Sequence, residues 1–244
     1  MPTDVQYLVV TGEAYALLRL QGVLDSTTAD ALRGPLLSFV ADQAPPTVID
    51  VGGLRVDDVA ALSTFADVAR ETADWPCGLP VVNLPDHSGA EWSGAGLPIM
   101  HGDTSVDLLP RTMGAEVLSA NLEPVTGAAR KARELVTEGC VRWDVPEAAG
   151  PACIVATELV NNVVAHAHTP MTLRLGQGLT GDAVHLSVRD LSADLPVMTG
   201  EVSTTAYGGR GLLLVQSVAE RWGTTALPDG KLVWAVVQPD VEEF

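Results

Sequence analysis

The stretch Ile154-Val-Ala-Thr-Glu158-Leu-Val-Asn161-Asn162-Val-Val-Ala-His166-Ala167 decides how this chain reads. It has helical length, strong helix formers at Ala156, Leu159, Ala165 and Ala167, and no internal Gly or Pro, so a helix is expected. At roughly 100° per residue, Ala156, Leu159, Val160, Val163, Val164 and Ala167 share one arc, while Glu158, Asn161, Asn162 and His166 gather on the other. One side packs and the other presents chemistry. The polar side carries a carboxylate, two amides and an imidazole, with no Lys or Arg for the ordinary ion pairs of a helix surface. An acid, a neutral oxygen ligand and a phosphate or proton partner come within reach of one bound group. The plainer alternative is a solvated face with two indifferent asparagines.

Downstream, Met171 to Gln177 and Ala183 to Arg189 alternate in hydrophobicity around Gly178-Leu-Thr-Gly-Asp182, the composition of an antiparallel hairpin. Asp190-Leu-Ser192-Ala-Asp-Leu-Pro196 breaks the second strand. Residues 197–208 lack a hydrophobic period and end at Gly208-Gly209-Arg210-Gly211-Leu212, directly before a helix carrying Leu213, Leu214, Val215, Val218 and Ala219. Glycines at a helix N-terminus let backbone amides approach a phosphate, which the helix dipole favours. Leu232 to Val237 reads as a closing strand. Upstream, Ala115 to Leu122 reads as a strand and Val125 to Gly139 as a helix. Its basic run, Arg130-Lys131-Ala-Arg133, reads first as a solvated face and second as a contact for a nucleotide or an acidic partner.

The first half alternates strands and helices, which implies a covered sheet. Val5 to Val10 and Ala14 to Leu20 are strands across Thr11-Gly-Glu13. Gly22 to Ser26 supplies a turn and cap for a helix over Thr27 to Asp42, blemished by Pro35. A strand at Pro45 to Val51, a helix at Asp58 to Thr72 and a strand at Leu79 to Leu84 follow, then a last strand at Leu97 to Met100 and a helix at Ser105 to Leu109. The break at 110–114 divides the chain into domains at 1–110 and 111–244.

With 14 Lys+Arg against 31 Asp+Glu, the net charge of −17 disfavours nucleic acid and anionic membrane surfaces as partners. An anionic ligand must therefore be held locally, by backbone amides or a metal. Three cysteines without metal or redox spacing read as small apolar side chains of a reduced, cytoplasmic protein. No secretory signal or membrane span is expected from the N-terminus or from later apolar runs.

Leu17-Leu-Arg-Leu-Gln-Gly22-Val-Leu-Asp25, followed by Thr47-Val-Ile-Asp50-Val-Gly-Gly-Leu-Arg-Val-Asp57-Asp58, resembles a STAS domain, the fold of bacterial anti-sigma-factor antagonists, over roughly residues 1–110. In that family an Asp-Ser pair opens the helix after this strand, and a partner kinase phosphorylates the serine. The matching position here is Asp58, which cannot carry phosphate as a stable ester. It reads either as a built-in mimic of the phosphorylated state or as drift in a domain no longer used as substrate, and locally as a helix N-terminus partner.

The second half resembles the histidine-kinase-like ATPase domain, and within it the anti-sigma-factor serine kinases. The motifs are Thr157-Glu158-Leu-Val-Asn161-Asn162-Val-Val-Ala-His166, Val188-Arg-Asp190-Leu-Ser192, Gly208-Gly-Arg-Gly211-Leu and Gly230-Lys231-Leu-Val-Trp234. The implied fold class is α/β (α+β): a STAS-like sheet-and-helix domain, then a two-layer α/β sandwich of the Bergerat type. The resemblance implies that Glu158 is the catalytic base toward a substrate hydroxyl, that Asn162 binds Mg²⁺, and that Asp190 accepts from the adenine amino group. Gly209 and Gly211 would hold phosphates, and Arg210 could add a charge-assisted contact. Asn161, His166, Ser192 and Leu212 complete the candidate cofactor-binding set for ATP and Mg²⁺.

The family usually places a hydroxyl residue after the lysine of the last strand, and Leu232 stands there. A leucine packs on a purine without donating to it, so weakened or lost nucleotide binding is implied. The expected function is partner-switching control of transcription: ATP-dependent Ser/Thr phosphorylation of an anti-sigma-factor antagonist, with a sigma factor or antagonist as partner. The branch commonly forms homodimers. The alternative is a non-catalytic binding module with a vestigial nucleotide site.

Overall fold

The computed structural model describes residues 5–11, 16–43, 47–76, 81–84, 99–101, 116–177, 182–196 and 210–239. The chain divides into two compact units, one of Met1–Ala73 with Cys77–Ala115, the other of Asp74–Pro76 with Glu116–Phe244. Both are mixed α/β.

The first unit holds a five-stranded sheet in the order β1 (Gln6–Thr11), β2 (Ala16–Leu24), β3 (Thr47–Val56), β4 (Val81–Leu84), β5 (Ile99–His101). β1 runs antiparallel to β2, and the remaining pairs are parallel. Helix α1 (Ser26–Asp42) makes the crossover from β2 to β3 and buries Leu32, Leu36, Leu37 and Val40. Each of those side chains contributes about 1.5–3 kcal/mol by leaving water. The turn expected over Gly22 to Ser26 is instead continued strand as far as Leu24. Gly22 takes a positive φ there, beside a register shift between Arg19 and Gln21, so a bulge bends the strand without ending it. Asp25 caps α1 in a reciprocal box with Thr28, and hydrogen bonds from the Thr28 amide and hydroxyl hold its carboxyl below the usual range. Pro35 is accommodated inside the helix.

The single helix expected over 58–72 is a 3₁₀ turn, Val59–Leu62, running into α2 (Ser63–Thr72). The helix expected over 105–109 lies outside the described residues.

The second unit has an antiparallel sheet in the order β6 (Val117–Leu122), β7 (Met171–Gln177), β8 (Val184–Asp190), β10 (Gly230–Val237), β9 (Arg221–Leu227). Helices α3 (Ala128–Arg142), α4 (Ala149–Asn162) and α5 (Arg210–Val218) share its core. The hairpin expected from the alternation on either side of Gly178 is β7–β8. Strand β9 had no forecast, because Arg221-Trp-Gly-Thr-Thr-Ala-Leu lacks a regular apolar period and finds its place only by pairing with β10.

α4 is the central helix: Ala156, Leu159, Val160 and Val163 are buried, as the wheel predicts, Val155 joins them, and Val164 and Ala167 of the same arc are only partly buried. It ends in a π turn, Val163–Ala167, closed by His168 in the left-handed conformation at φ 55°. By length and composition Pro146–Ala167 is apolar enough to cross a membrane, with a mean hydropathy of 1.3. That corrects the expectation that no run approaches such a span. In this fold its apolar face belongs to the core shared with the sheet.

A row of paired residues crosses this sheet: Gly176 faces His185, His185 faces Val236, and Val236 faces Arg221. The segment Asp74–Pro76 lies on that row. The Asp74 carboxylate pairs with Arg221 at 3.0 Å, and its carbonyl is 3.0 Å from His185 Nδ1. A carbonyl only accepts, so the proton sits on Nδ1. The Pro76 carbonyl oxygen lies 2.6 Å from where a Cβ on Gly176 would fall, which leaves room for glycine alone.

Candidate functional site

The second unit encloses a cavity of about 270 Å³ between α4, its π turn, β8, β10 and α5. Leu159, Val163, Val188, Leu212 and Val233 supply apolar walls, and Asn162, His166, Asp190, Ser192, Asp194 and Lys231 supply polar groups.

Asp190 sits at the end of β8, directly opposite Lys231 at the start of β10. Its Oδ1 accepts from Lys231 Nζ at 2.8 Å and from the Ser192 backbone amide at 2.8 Å. Its Oδ2 is buried and has no partner among the described residues. Lys231 also donates to the Ser192 carbonyl at 3.3 Å. Ser192 therefore contributes through its backbone as well as by lining the cavity.

Asn162 and His166, one turn apart on α4 and its π turn, both line the cavity. Glu158 is half-buried one turn earlier, beside the first turn of α5. A Cβ placed on Gly211 would meet Glu158 Oε2 at 2.7 Å and Asn162 Oδ1 at 3.4 Å. The glycine is thus what allows α5 to approach the carboxylate and the amide together. Asn161, by contrast, is exposed and does not line the cavity. Arg210 begins α5, and Gly209 lies outside the described residues.

Leu232 does not belong to this site. Along β10 the alternation puts Lys231 and Val233 in the cavity lining and leaves Leu232 out, because successive strand residues face opposite ways. A leucine packed on a ring in this cavity, the role expected of Leu232, is therefore not what the lining provides. Asp190 has a donor from the last strand, and it is Lys231, one residue earlier. Sequence reasoning missed Lys231; the clue available was its position immediately after Gly230, at the start of the strand that pairs with Asp190.

Among the described residues no group of three or more His, Cys, Asp or Glu side chains forms a metal nest. The donor set beside Gly211 is one carboxylate and one neutral amide. The amide oxygen could give one ligand to a hard cation whose other ligands come from outside the chain, which leaves the carboxylate free as a proton acceptor.

The other candidates stand apart from this cavity. Arg130 pairs with Glu134 at 3.3 Å on an exposed face of α3, and Arg133 reaches the Thr157 hydroxyl at 3.3 Å. This matches the solvated-face reading of the basic run. Cys140 is buried, and desolvation with Cys153 nearby pushes its thiol up to about 11, so it is inert. In the first unit, Asp58 caps the 3₁₀ turn, accepting from the Ala60 amide at 3.0 Å. The amides of Asp57 and Asp58 both donate to the Leu24 carbonyl, at 3.0 and 3.3 Å, so the end of β2 fixes where this carboxylate stands.

Comparison with known proteins finds the family model described as "Mlab, STAS domain" over residues 9–97. No curated protein matches the chain. Among solved structures, an anti-sigma factor antagonist from Mycobacterium paratuberculosis is 25% identical, covering 37% of this chain and 74% of that one, with a TM-score of 0.30. The RsbU and RsbW domains of a Mycobacterium tuberculosis protein are 14% identical over 52% of this chain and 33% of that chain, with a TM-score of 0.39. The anti-sigma factor antagonist SpoIIAA in its unphosphorylated form is 18% identical over 43% of this chain and 95% of its own, with a TM-score of 0.34. The matched residues 9–97 hold most of the β1–β5 sheet and both of its helices, so it is this part of the chain that is similar to a STAS domain.

Proposed function

We propose that this chain is a cytoplasmic regulator of the partner-switching kind. In this reading its second unit is a Bergerat-type ATPase domain that binds Mg-ATP and phosphorylates a serine or threonine of a separate anti-sigma-factor antagonist, and so acts on transcription through a sigma factor. The observation that carries the reading is the approach of Gly211 to Glu158 Oε2 and to Oδ1 of Asn162, which lines the same cavity as Asp190. Proton acceptor, cation ligand and helix N-terminus then meet at one place.

Bound Mg-ATP supplies the phosphoryl group and the charge that neutralises it in transfer. The chain's residues do the rest. Asp190 Oδ2 accepts an N–H at the cavity floor, and the apolar walls hold a flat ring. Asn162 Oδ1 offers a neutral oxygen to the cation, and the start of α5 presents backbone amides to anionic oxygens. Glu158, fixed by a rigid helix, takes the proton of the attacking hydroxyl.

The test is transfer of labelled γ-phosphate from ATP to a STAS protein that carries serine at the position of Asp58. Transfer lost in Glu158→Ala supports the kinase. ATP binding without transfer to any such protein overturns it and leaves the second reading, a non-catalytic binding module. That reading draws support from Asp58, a permanently charged cap where a switchable hydroxyl would stand.

A further inference from the structure

The floor of the cavity offers more than one hydrogen-bonding partner. Asp190 is fully buried, its Oδ1 is saturated by Lys231 and Ser192, and its Oδ2 has no described partner. An ammonium carries three N–H groups. Two of those on Lys231 go to Asp190 Oδ1 at 2.8 Å and the Ser192 carbonyl at 3.3 Å, and among the described residues the third has no partner. Both side chains line the cavity. An acceptor and a donor therefore sit side by side on neighbouring strands, at directly paired positions.

We infer that Lys231 is itself a ligand-contacting residue, which reads the ring nitrogen of a purine while Asp190 Oδ2 reads the amino group beside it. The inference rests on the nucleotide reading above and assigns to this chain a two-point recognition of the amidine edge of adenine, N6–H to carboxylate and N1 from ammonium. Leu159, Val163, Val188, Leu212 and Val233 give the flat ring its apolar walls. A lactam base in the same pose turns its carbonyl toward the carboxylate and its N–H toward the ammonium, so both contacts become repulsive. Lys231 thus doubles the discrimination that a lone carboxylate would exert.

Calorimetry on the full chain with Mg-ATP and Mg-1-deaza-ATP, whose N1 is replaced by C–H, tests the assignment. A hydrogen bond from a charged donor predicts about tenfold tighter binding of ATP than of 1-deaza-ATP. In Lys231→Met the ATP affinity falls by about tenfold and the two ligands converge. Mg-ITP binds more weakly than either in the wild type. The wild-type ratio needs no variant, so an unfolded Lys231→Met leaves the test standing. Equal wild-type affinities for ATP and 1-deaza-ATP overturn the lysine assignment and leave the nucleotide site intact, whereas binding of neither overturns the nucleotide reading itself.

Discussion

Lys231 Nζ lies 2.8 Å from Asp190 Oδ1 with the two side chains only 8% and 0% exposed, and the pair is built by strand register, since residues 190 and 231 stand directly opposite across β8 and β10. The ammonium serves stability and recognition at once. It compensates a buried carboxylate, and it occupies Oδ1 while Oδ2 keeps no partner among the described residues.

Removing one partner strands the other. Lys231→Met is expected to cost about 3–5 kcal/mol, because the buried carboxylate loses its counter-charge. The double substitution Lys231→Met with Asp190→Leu should recover most of that loss. Urea unfolding midpoints of wild type, single and double variants check this, and a double variant no more stable than Lys231→Met contradicts it.

Gly211→Ala separates stability from chemistry. The added Cβ meets the far end of Glu158 at 2.7 Å, and a flexible side chain can swing away. Alanine also favours the helix by up to about 1 kcal/mol. The melting temperature should hold or rise slightly while γ-phosphate transfer drops, since the displaced group is the proposed proton acceptor. Loss of stability with unchanged transfer would refute this.

At Gly176 the obstacle is backbone. The Pro76 carbonyl stands 2.6 Å from the new Cβ and cannot rotate aside, so Gly176→Ala should destabilise by about 1–3 kcal/mol. Arg221→Ala removes an ion pair with Asp74 whose side chains are 49% and 25% exposed, and should cost less than about 1 kcal/mol. Chemical denaturation of the two variants gives the ranking directly.

His185 makes stability depend on pH. Burial holds its imidazole below the ordinary value of 6.5, with the hydrogen bond to the Asp74 carbonyl working in the opposite direction. The unfolded chain binds the proton more readily, so stability is full above pH 6.5 and falls as the pH drops below it toward the folded value. His185→Gln should flatten that part of the profile. Unfolding midpoints measured across weakly acid to neutral pH test the sign; stability that rises on acidification over this window counts against it.

Asp58 caps the 3₁₀ turn through the Ala60 amide. Asp58→Ala should cost about 1 kcal/mol, and Asp58→Ser much less, because a hydroxyl caps as well. If the carboxylate also mimics a phosphorylated state, Asp58→Ser will change partner capture while stability barely moves. Denaturation together with pull-down of a chosen partner resolves the two roles.

The local patterns were legible from the residues alone. The apolar arc of α4 fixed its packed side, the alternation on either side of Gly178 fixed the β7–β8 hairpin, and the strand–helix alternation of the first half implied a covered sheet. These are nearest-neighbour properties, set by the 3.6- and 2-residue periods of the backbone. What only the tertiary structure decided depends on pairing between distant strands. Register, not spacing, chose Lys231 over Leu232 as the partner of Asp190, and it admitted β9 to the sheet with no apolar signal of its own. Chain folding also set Asp74–Pro76 on the Gly176–His185 row. A one-residue shift along a strand turns every side chain to the opposite face, so no count along the sequence could have settled which residue reached the cavity.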